Sequence, residues 1–495
     1  MFIKIQVRYN SPQWIVTVQS GKTRNEIVRI FQDVIISGFF IFKIHSLGLG
    51  VDYKLKITTG SDKVMRKIKY CFILGILGLP AWAAASVAEI KDSSFVKDSS
   101  LALGTHNILK YLDEGETGKR NVHNAWGQGI TLDYKSGYIN NFIGVDASYY
   151  GVIKLAAADN FASRGILYND NGQASGFNKI GQLYGKAKFS ESGVEGNLYG
   201  GWKLLKLGVL TTSMRAAPNT YQGVSGDLSW DAYRLRMAYV DRSSNRDSPD
   251  KVQFLTSDGK QIDSIYTGDL QYKSDNFTAL YLYGESEDYL RRNGLELVLK
   301  QNKTLAYGVQ IYSTDTLDKY DSMRTSKKDF DSSANHYAVD MTWKPGNWII
   351  KPGFEYTQAH KTDGIGQFPR HMSKNSRGTF NSMAYAGLDY MRDEEKVISF
   401  DMGYNLTPDF LVGINTHYGF FDYKGQQVKE GEFNVYTLWK PSSPALKNLS
   451  IFTLAGPGRT FEHNGTTPIE DSNGIIKKTN SMAYEFRIDY KFNIF

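Results

Sequence analysis

The stretch YRLRMAYV, Tyr233 to Val240, sets Arg234 and Arg236 two residues apart, with Tyr233, Leu235, Met237 and Tyr239 between and around them. On an extended chain, successive side chains point to opposite faces, so the two guanidiniums share one face and the apolar residues the other. Two fixed charges at that spacing can pair with neighbouring carboxylates or act on passing ions. Asp133, Asp146, Asp269 and Asp340 stand on the polar side of similar alternations and would supply the opposite sign. No nucleophile, acid or metal set accompanies them. His106, His123, His336, His360, His371, His417 and His463 carry no catalytic signature and no metal-ligand spacing around them. The expectation is a protein without enzymatic activity, metal or cofactor.

The elements that position these charges are strands. Ile143, Val145, Ala147 and Tyr149 alternate with Gly144, Asp146 and Ser148, and Tyr266, Gly268, Leu270 and Tyr272 with Thr267, Asp269 and Gln271. Tyr337, Val339, Met341 and Trp343 alternate in the same way with Ala338, Asp340 and Thr342, and Ile398, Phe400, Met402 and Tyr404 with Ser399, Asp401 and Gly403. In a soluble sandwich the apolar face would be the core. In an outer-membrane barrel it meets lipid while the polar face lines water. The barrel is the better reading, because ionised residues recur on the polar face strand after strand, and a dry core could not hold so many. Apolar rows ending in Tyr149, Trp343, Trp348 and Tyr404 also suit aromatic girdles at the membrane interfaces.

Composition supports export. Of 58 Lys+Arg and 51 Asp+Glu, the residues after Ala83 hold 46 and 47, so the main body is close to neutral and offers a nucleic-acid partner no electrostatic support. The segment from Met65 has a basic head at Arg66, Lys67 and Lys69, an apolar run from Tyr70 to Leu79, and the pattern Ala81, Trp82, Ala83: a signal peptide over 65–83. The chain's one cysteine, Cys71, falls inside it. Residues 1–64 then read as an upstream extension, with translation expected to begin at Met65, and residues 84–495 as the exported barrel. No later segment holds the roughly 18 or more consecutive apolar residues of a membrane helix.

Short turns fall near Ser136-Gly137, Glu191-Ser192-Gly193, Ser229-Trp230-Asp231, Ser274-Asp275, Asn302-Lys303, Pro345-Gly346, Thr407-Pro408 and Lys440 to Asn448. Longer polar segments such as Asp315 to Asn335 and Thr357 to Ser376 separate them. Eight turns on one side predict an all-β, antiparallel, up-and-down transmembrane barrel of 18 strands with nine longer loops opposite; 16 strands is the neighbouring possibility. The terminal SMAYEFRIDYKFNIF alternates up to Phe492, but Phe495 is out of phase, which predicts a bulge near Asn493 or Ile494.

By this count the third loop runs from Leu210 to Gln222. There LKLGVL is followed by Arg215, Pro218, Thr220, Tyr221 and Gly223, which resembles the signature of the OprD-type substrate-specific porins, a family that includes basic amino-acid porins and chitoporins. DSSLALGTHN at Asp98, AWGQGITLDYKSGY at Ala125, RSSNRDS at Arg242 and NVYTLWKPSSPALKNLSIF near the end extend the resemblance along the chain. The resemblance implies a third extracellular loop folded inward to form a constriction, with Arg215, Tyr221, Arg234 and Arg236 on the solute path. Asp133, Asp146, Asp269 and Asp340 would be lumen acids. The implied partners are small hydrophilic solutes such as amino acids, small peptides, carboxylates or chito-oligosaccharides, together with ions, outer-membrane lipid and the barrel assembly machinery. The barrel would be a monomer or a trimer in the outer membrane of a Gram-negative bacterium.

Overall fold

The computed structural model describes residues 3–10, 13–20, 93–114, 121–158, 165–378, 389–464 and 467–495. Upstream, Ile3–Asn10 and Gln13–Ser20 form an antiparallel hairpin. Residues 65–83, read as a signal peptide, lie outside the described residues.

From residue 93 onward the described residues build a closed antiparallel barrel of 18 strands. They are β1 (Ser100–Glu114), β2 (Asn121–Lys135), β3 (Ile143–Ala157), β4 (Phe177–Glu191), β5 (Val194–Lys203) and β6 (Thr220–Trp230). Next come β7 (Tyr233–Ser244), β8 (Ile265–Lys273), β9 (Phe277–Ser286), β10 (Leu290–Lys300), β11 (Leu305–Thr316) and β12 (Ser333–Trp343). The circuit ends with β13 (Trp348–Gln358), β14 (Lys396–Thr407), β15 (Phe410–Tyr423), β16 (Gln426–Trp439), β17 (Leu449–Phe461) and β18 (Lys478–Asn493). Each strand pairs with the next, and β18 closes on β1 from Asn493 opposite Ala102 to Met482 opposite Asp113. Closure leaves no unpaired edge, which is the condition for strands to stand in hydrocarbon.

All eight expected turns join strands at one end of the barrel. One of the two-residue turns, Ser192-Gly193 between β4 and β5, has both residues at positive φ (53° and 79°), the conformation of a two-residue hairpin turn. At the other end the expectation of nine long loops needs correction. Residues 287–289 and 424–425 connect β9 to β10 and β15 to β16 as briefly as turns do. The third loop is 204–219 rather than 210–222, because Tyr221 already pairs with Lys203 and Ser243. The charged run from Arg392 to Lys396 ends the seventh loop and starts β14.

The faces alternate as the sequence reading requires. Val145, Tyr149, Ile153, Tyr266, Val339, Trp343, Ile398 and Tyr484 are exposed on the outside, while Asp146, Ser148, Asp269, Ser399 and Asp401 are buried on the inside. Trp348 and Tyr404 meet at 4.6 Å between ring centroids in the turn-end girdle. On the closing seam the inward row is charged: Lys110 pairs with Glu485 at 2.6 Å and His106 with Asp489 at 2.9 Å. At the chain end, Ile494 and Phe495 both donate to the Leu101 carbonyl, while the Leu101 N–H donates to Phe495. Two residues opposite one is the bulge that the phase of Phe495 demands.

A short helix, α1 (Ser94–Lys97), seats the start of the barrel against its first turn. The Gly137 N–H donates to Phe95 and the Ser94 hydroxyl to the Tyr138 carbonyl. A Cβ on Gly137 would fall 1.9 Å from the Ser94 oxygen, so that turn has to carry glycine.

Candidate functional site

The third loop begins with a tight turn in which Lys206 pairs with Thr211 and Leu207 with Leu210. Arg236 of β7 sends its Nε to Asp269 of β8 at 2.7 Å and an Nη1 to the Lys206 carbonyl at 2.9 Å. Asp269 accepts the Gly208 N–H at 2.6 Å with its other oxygen, and Thr267 accepts the Val209 N–H at 2.9 Å. Arg236 and Asp269 are therefore an ion pair whose remaining valences are spent on loop backbone. At the loop's far end, Ala216 and Ala217 bury themselves among Ile108, Ala125, Tyr150 and Ile166. A Cβ on Gly129 of β2 would lie 1.7 Å from the Ala216 carbonyl oxygen. That glycine, in the AWGQGITLDYKSGY stretch, clears the backbone approach of a loop far away in sequence.

Tyr221, on β6 and only 1% exposed, does not face water. Its hydroxyl lies 3.0 Å from the Thr211 carbonyl and 2.9 Å from that of Arg377, and accepts the Arg377 N–H at 2.8 Å. The Thr211 N–H donates to the Arg377 carbonyl at 2.8 Å. The phenol thus clasps the third loop to the seventh. Arg234 is separate from this junction: it stands 3.5 Å from Asp227, with a side chain that is 47% exposed. Arg215 sits part-exposed at the third loop's tip, and its charge is felt by Arg246 and by Glu485 of β18.

The other three acids divide by partner. Asp146 is held by Lys186 at 2.6 Å and by the Tyr184 hydroxyl at 2.8 Å. Asp133 meets Lys491 at 3.2 Å. Asp340 rests against Gly308, where a Cβ would come within 2.2 Å of its carboxylate.

What sequence reading did not single out is the seventh loop, 359–395. Its described first arm runs along the barrel mouth, anchored on strand after strand. Phe368 takes the Arg292 guanidinium over its ring at 4.7 Å, and that guanidinium, 2% exposed, also donates to the Pro369 carbonyl. The Ser286 hydroxyl donates to Met372, Ser243 donates to the Asn375 carbonyl, and Asn375 donates to the Gln253 carbonyl. The arm ends at Arg377, against Tyr221.

Several cations meet there. The Arg246 Nη1 donates to Ser213 at 2.8 Å, and the Arg377 Nη1 stands 3.4 Å from the His371 Nε2. The Nε of Arg246 and that of Arg377 are buried with no hydrogen-bond partner among the described residues. Burial, then the charges of Arg215 and Arg377, push the Arg246 pKa down. Burial, then Arg377, Arg370 and Arg292, push the His371 imidazole down to about 3. A guanidinium does not give up its proton in a protein, so the cluster stays cationic, with Asp247 the carboxylate that partly offsets it at Arg246.

The returning arm, 389–395, is the opposite. Glu395 (0% exposed) and Glu430 of β16 (2%) share Arg392, which donates to Glu430 and stands 3.9 Å from Glu395. The Thr460 hydroxyl also donates to Glu430, at 2.7 Å. Below lies an inward network that includes a Ser-His-Asn alignment. The His417 Nδ1 is 2.8 Å from the Ser399 hydroxyl, and its Nε2 is 2.8 Å from the Asn415 Oδ1. Ser399 is 1% exposed, and the Tyr390 ring covers His417 at 5.6 Å, so the alignment is wall packing. His336 is likewise a wall residue, 2.9 Å from Thr357. Both histidines are buried on the barrel's inner face.

Comparison with known proteins agrees with this architecture. A family model described as outer membrane porin, OprD family, matches residues 93–469. The chitoporin of Escherichia coli (strain K12) is 22% identical over 396 residues, covering 70% of this chain and 79% of that protein. The membrane-associated protein UidC of the same organism is 31% identical over 106 residues, a stretch that spans only 24% of UidC and 21% of this chain. Among solved structures, OccAB3 of Acinetobacter baumannii superimposes with a TM-score of 0.66 at 19% identity, covering 80% of this chain and all of that one.

Proposed function

The chain belongs to the OprD family of outer-membrane porins, and from that premise we propose that it is a diffusion channel favouring small hydrophilic solutes that carry a carboxylate. The observation that carries the proposal is the cationic cluster of Arg215, Arg246 and Arg377, in which the Nε donors of Arg246 and Arg377 have no hydrogen-bond partner among the described residues. Planar guanidinium forks match carboxylate geometry, and a charge-assisted hydrogen bond is roughly twice as strong as a neutral one. The third loop folds inward to form the narrowest part of the path. Support for this comes from its contacts with Asp269 and Thr267 at one end and with Gly129 at the other, on well-separated strands. Arg215 faces the path. Arg236 and Tyr221 act as positioning residues that hold the loop and its clasp, while Arg234 sets wall potential beside Asp227.

Around this path, lipid meets the aromatic girdles, and the assembly machinery reads the closing strand. Export uses the 65–83 signal peptide, with 84–495 as the mature barrel. N-terminal sequencing of the outer-membrane protein checks that division, and a terminus upstream of Met65 defeats it.

The direct test is solute flux into liposomes holding the barrel, comparing small carboxylates with their neutral amides, with basic amino acids and with chito-oligosaccharides. Carboxylates are expected to enter fastest. Arg246→Gln combined with Arg377→Gln is expected to cut carboxylate entry about tenfold, in line with one lost charge-assisted contact, and to leave the amides unchanged. Faster entry of a chito-oligosaccharide, or equal loss for acids and amides, overturns the carboxylate reading.

A further inference from the structure

The outer surface of the barrel is not uniform at its loop end. Across three neighbouring strands, Lys396 of β14 stands beside Phe420 of β15, and Phe420 beside Lys429 of β16. The row continues the other way through Tyr356 of β13, next to Lys396, and Tyr337 of β12, next to Tyr356. All five are on the outward face, in phase with exposed Ile398, Tyr418, Phe433 and Val339. One strand further on, Arg459 of β17 lies beside Gly431, two residues from Lys429, and Asn480 of β18 beside Arg459, two residues from Lys478. Lys396, Lys429, Arg459 and Lys478 are all exposed.

Two features make this more than scattered surface charge. The lysines occupy the aromatic row itself, and Lys396 lies 5.9 Å over the Phe420 ring. An outward row of Tyr and Phe marks the height of lipid headgroups, so these cations sit where lipid phosphates sit. The charge is also one-sided and unneutralised. None of the four cations has a carboxylate within ion-pair distance among the described residues, and the outward acid of β15 is Asp422. Around β9 to β11, by contrast, outward Arg291 is paired with Glu285 at 2.8 Å and stands beside Asp315.

We propose that the outward loop-end rim of β14 to β18 is a docking surface for the diphosphorylated sugar headgroup of a glycolipid in the adjacent leaflet, with Lys396, Lys429 and Arg459 as the phosphate contacts and Phe420 and Tyr356 packed beneath the sugar. Spacing supports it. Strands two apart are roughly 10 Å from each other, so Lys396 and Lys429 can reach two phosphates on one glycolipid or on neighbouring lipids. Each basic side chain near a membrane surface adds attraction that is screened beyond a Debye length.

The experiment uses the whole barrel, delipidated in detergent and titrated with diphosphoryl lipid A or with phosphatidylcholine, bound lipid being counted by native mass spectrometry. Wild type is expected to retain lipid A over phosphatidylcholine. The triple variant Lys396→Gln, Lys429→Gln, Arg459→Gln is expected to lose about tenfold or more in lipid A affinity, given the energy each cation adds near anionic lipid. The double variant Lys344→Gln, Lys447→Gln, at the turn end, should retain lipid A as wild type does. Single Lys429→Gln, which disturbs folding least, is expected to show a smaller loss in the same direction. Equal retention by wild type and the triple variant, equal loss in the turn-end control, or displacement of lipid A by millimolar inorganic phosphate would each overturn the proposal.

Discussion

The two arms of the seventh loop gather like charges and resolve them in opposite ways. Near Arg377, several cations crowd together while two of their buried donors have no partner among the described residues. Near Glu395, two carboxylates crowd together with a cation of their own, Arg392, lodged between them. The first gathers cations around a histidine, with two buried nitrogens lacking a partner among the described residues; the second carries its counter-charge, Arg392, within the chain. On the proposed function, the first would meet a passing solute, while the second holds the loop. The difference lies in whether the counter-charge is part of the chain.

If that contrast is right, the closed side should be the more fragile. Arg392→Met leaves Glu395 and Glu430 buried without their cation, and removing one member of a buried ionic group costs about 3–5 kcal/mol. Thermal unfolding in detergent should show a large loss, part of which Glu395→Gln in the same chain restores. An unchanged transition would mean that the pair is neutralised from elsewhere.

Tyr221→Phe should come next in size. It strips the hydroxyl that the Arg377 N–H donates to, and an unsatisfied buried group costs about 1–3 kcal/mol. Because the loss falls on the joint between two loops, the expected signature is faster amide exchange at Thr211 and Arg377, and noisier single-channel current, with the barrel's own melting little moved.

Opposite pH responses would sharpen the comparison further. Burial, then Glu430, raises the Glu395 pKa above its ordinary 4.5, so the support this group gives the returning arm is full below that value and is lost as pH rises through the raised one. His371, pushed down to about 3 from 6.5, behaves in the reverse sense: its support is full above 6.5 and fades as pH falls toward 3. Hydrogen exchange followed from pH 7 down to 4 should therefore show residues 389–395 tightening while 370–378 loosen. Glu395→Gln should abolish the first trend and leave the second. Parallel trends in both arms would contradict the assignment.

The smallest effect is expected from Arg215→Ala: a modest rise in conductance and a shift of reversal potential toward cations, larger at low salt, where screening lengths exceed about 10 Å. If conductance, ion preference and carboxylate flux all match wild type at low salt, Arg215 is a loop residue with no part in the path. Arg234, half-exposed beside Asp227, is then the next position to substitute.

The strand count, the eight short turns at one end, the inward and outward rows and the terminal bulge were legible in the sequence, whereas the two short connections at the other end were not. Each rests on a period of two and on local turn chemistry, which a chain carries in its own order. Asp146, Asp269, Arg234 and Arg236 were placed on the correct face for the same reason. Their partners were not legible. Nothing local says that Asp269 would spend its oxygens on Arg236 and on Gly208, or that Tyr221 would be covered by a loop 156 residues away. The Arg377 junction depends on the seventh loop crossing from β13 to β6, and the irregular arm that does so has no periodicity to read. A closed barrel brings distant segments to one mouth, and which charges meet there is decided by loop paths and burial. The sequence determined the wall and its two solvents, and only the tertiary structure decided which charges on that wall came together and with which partners.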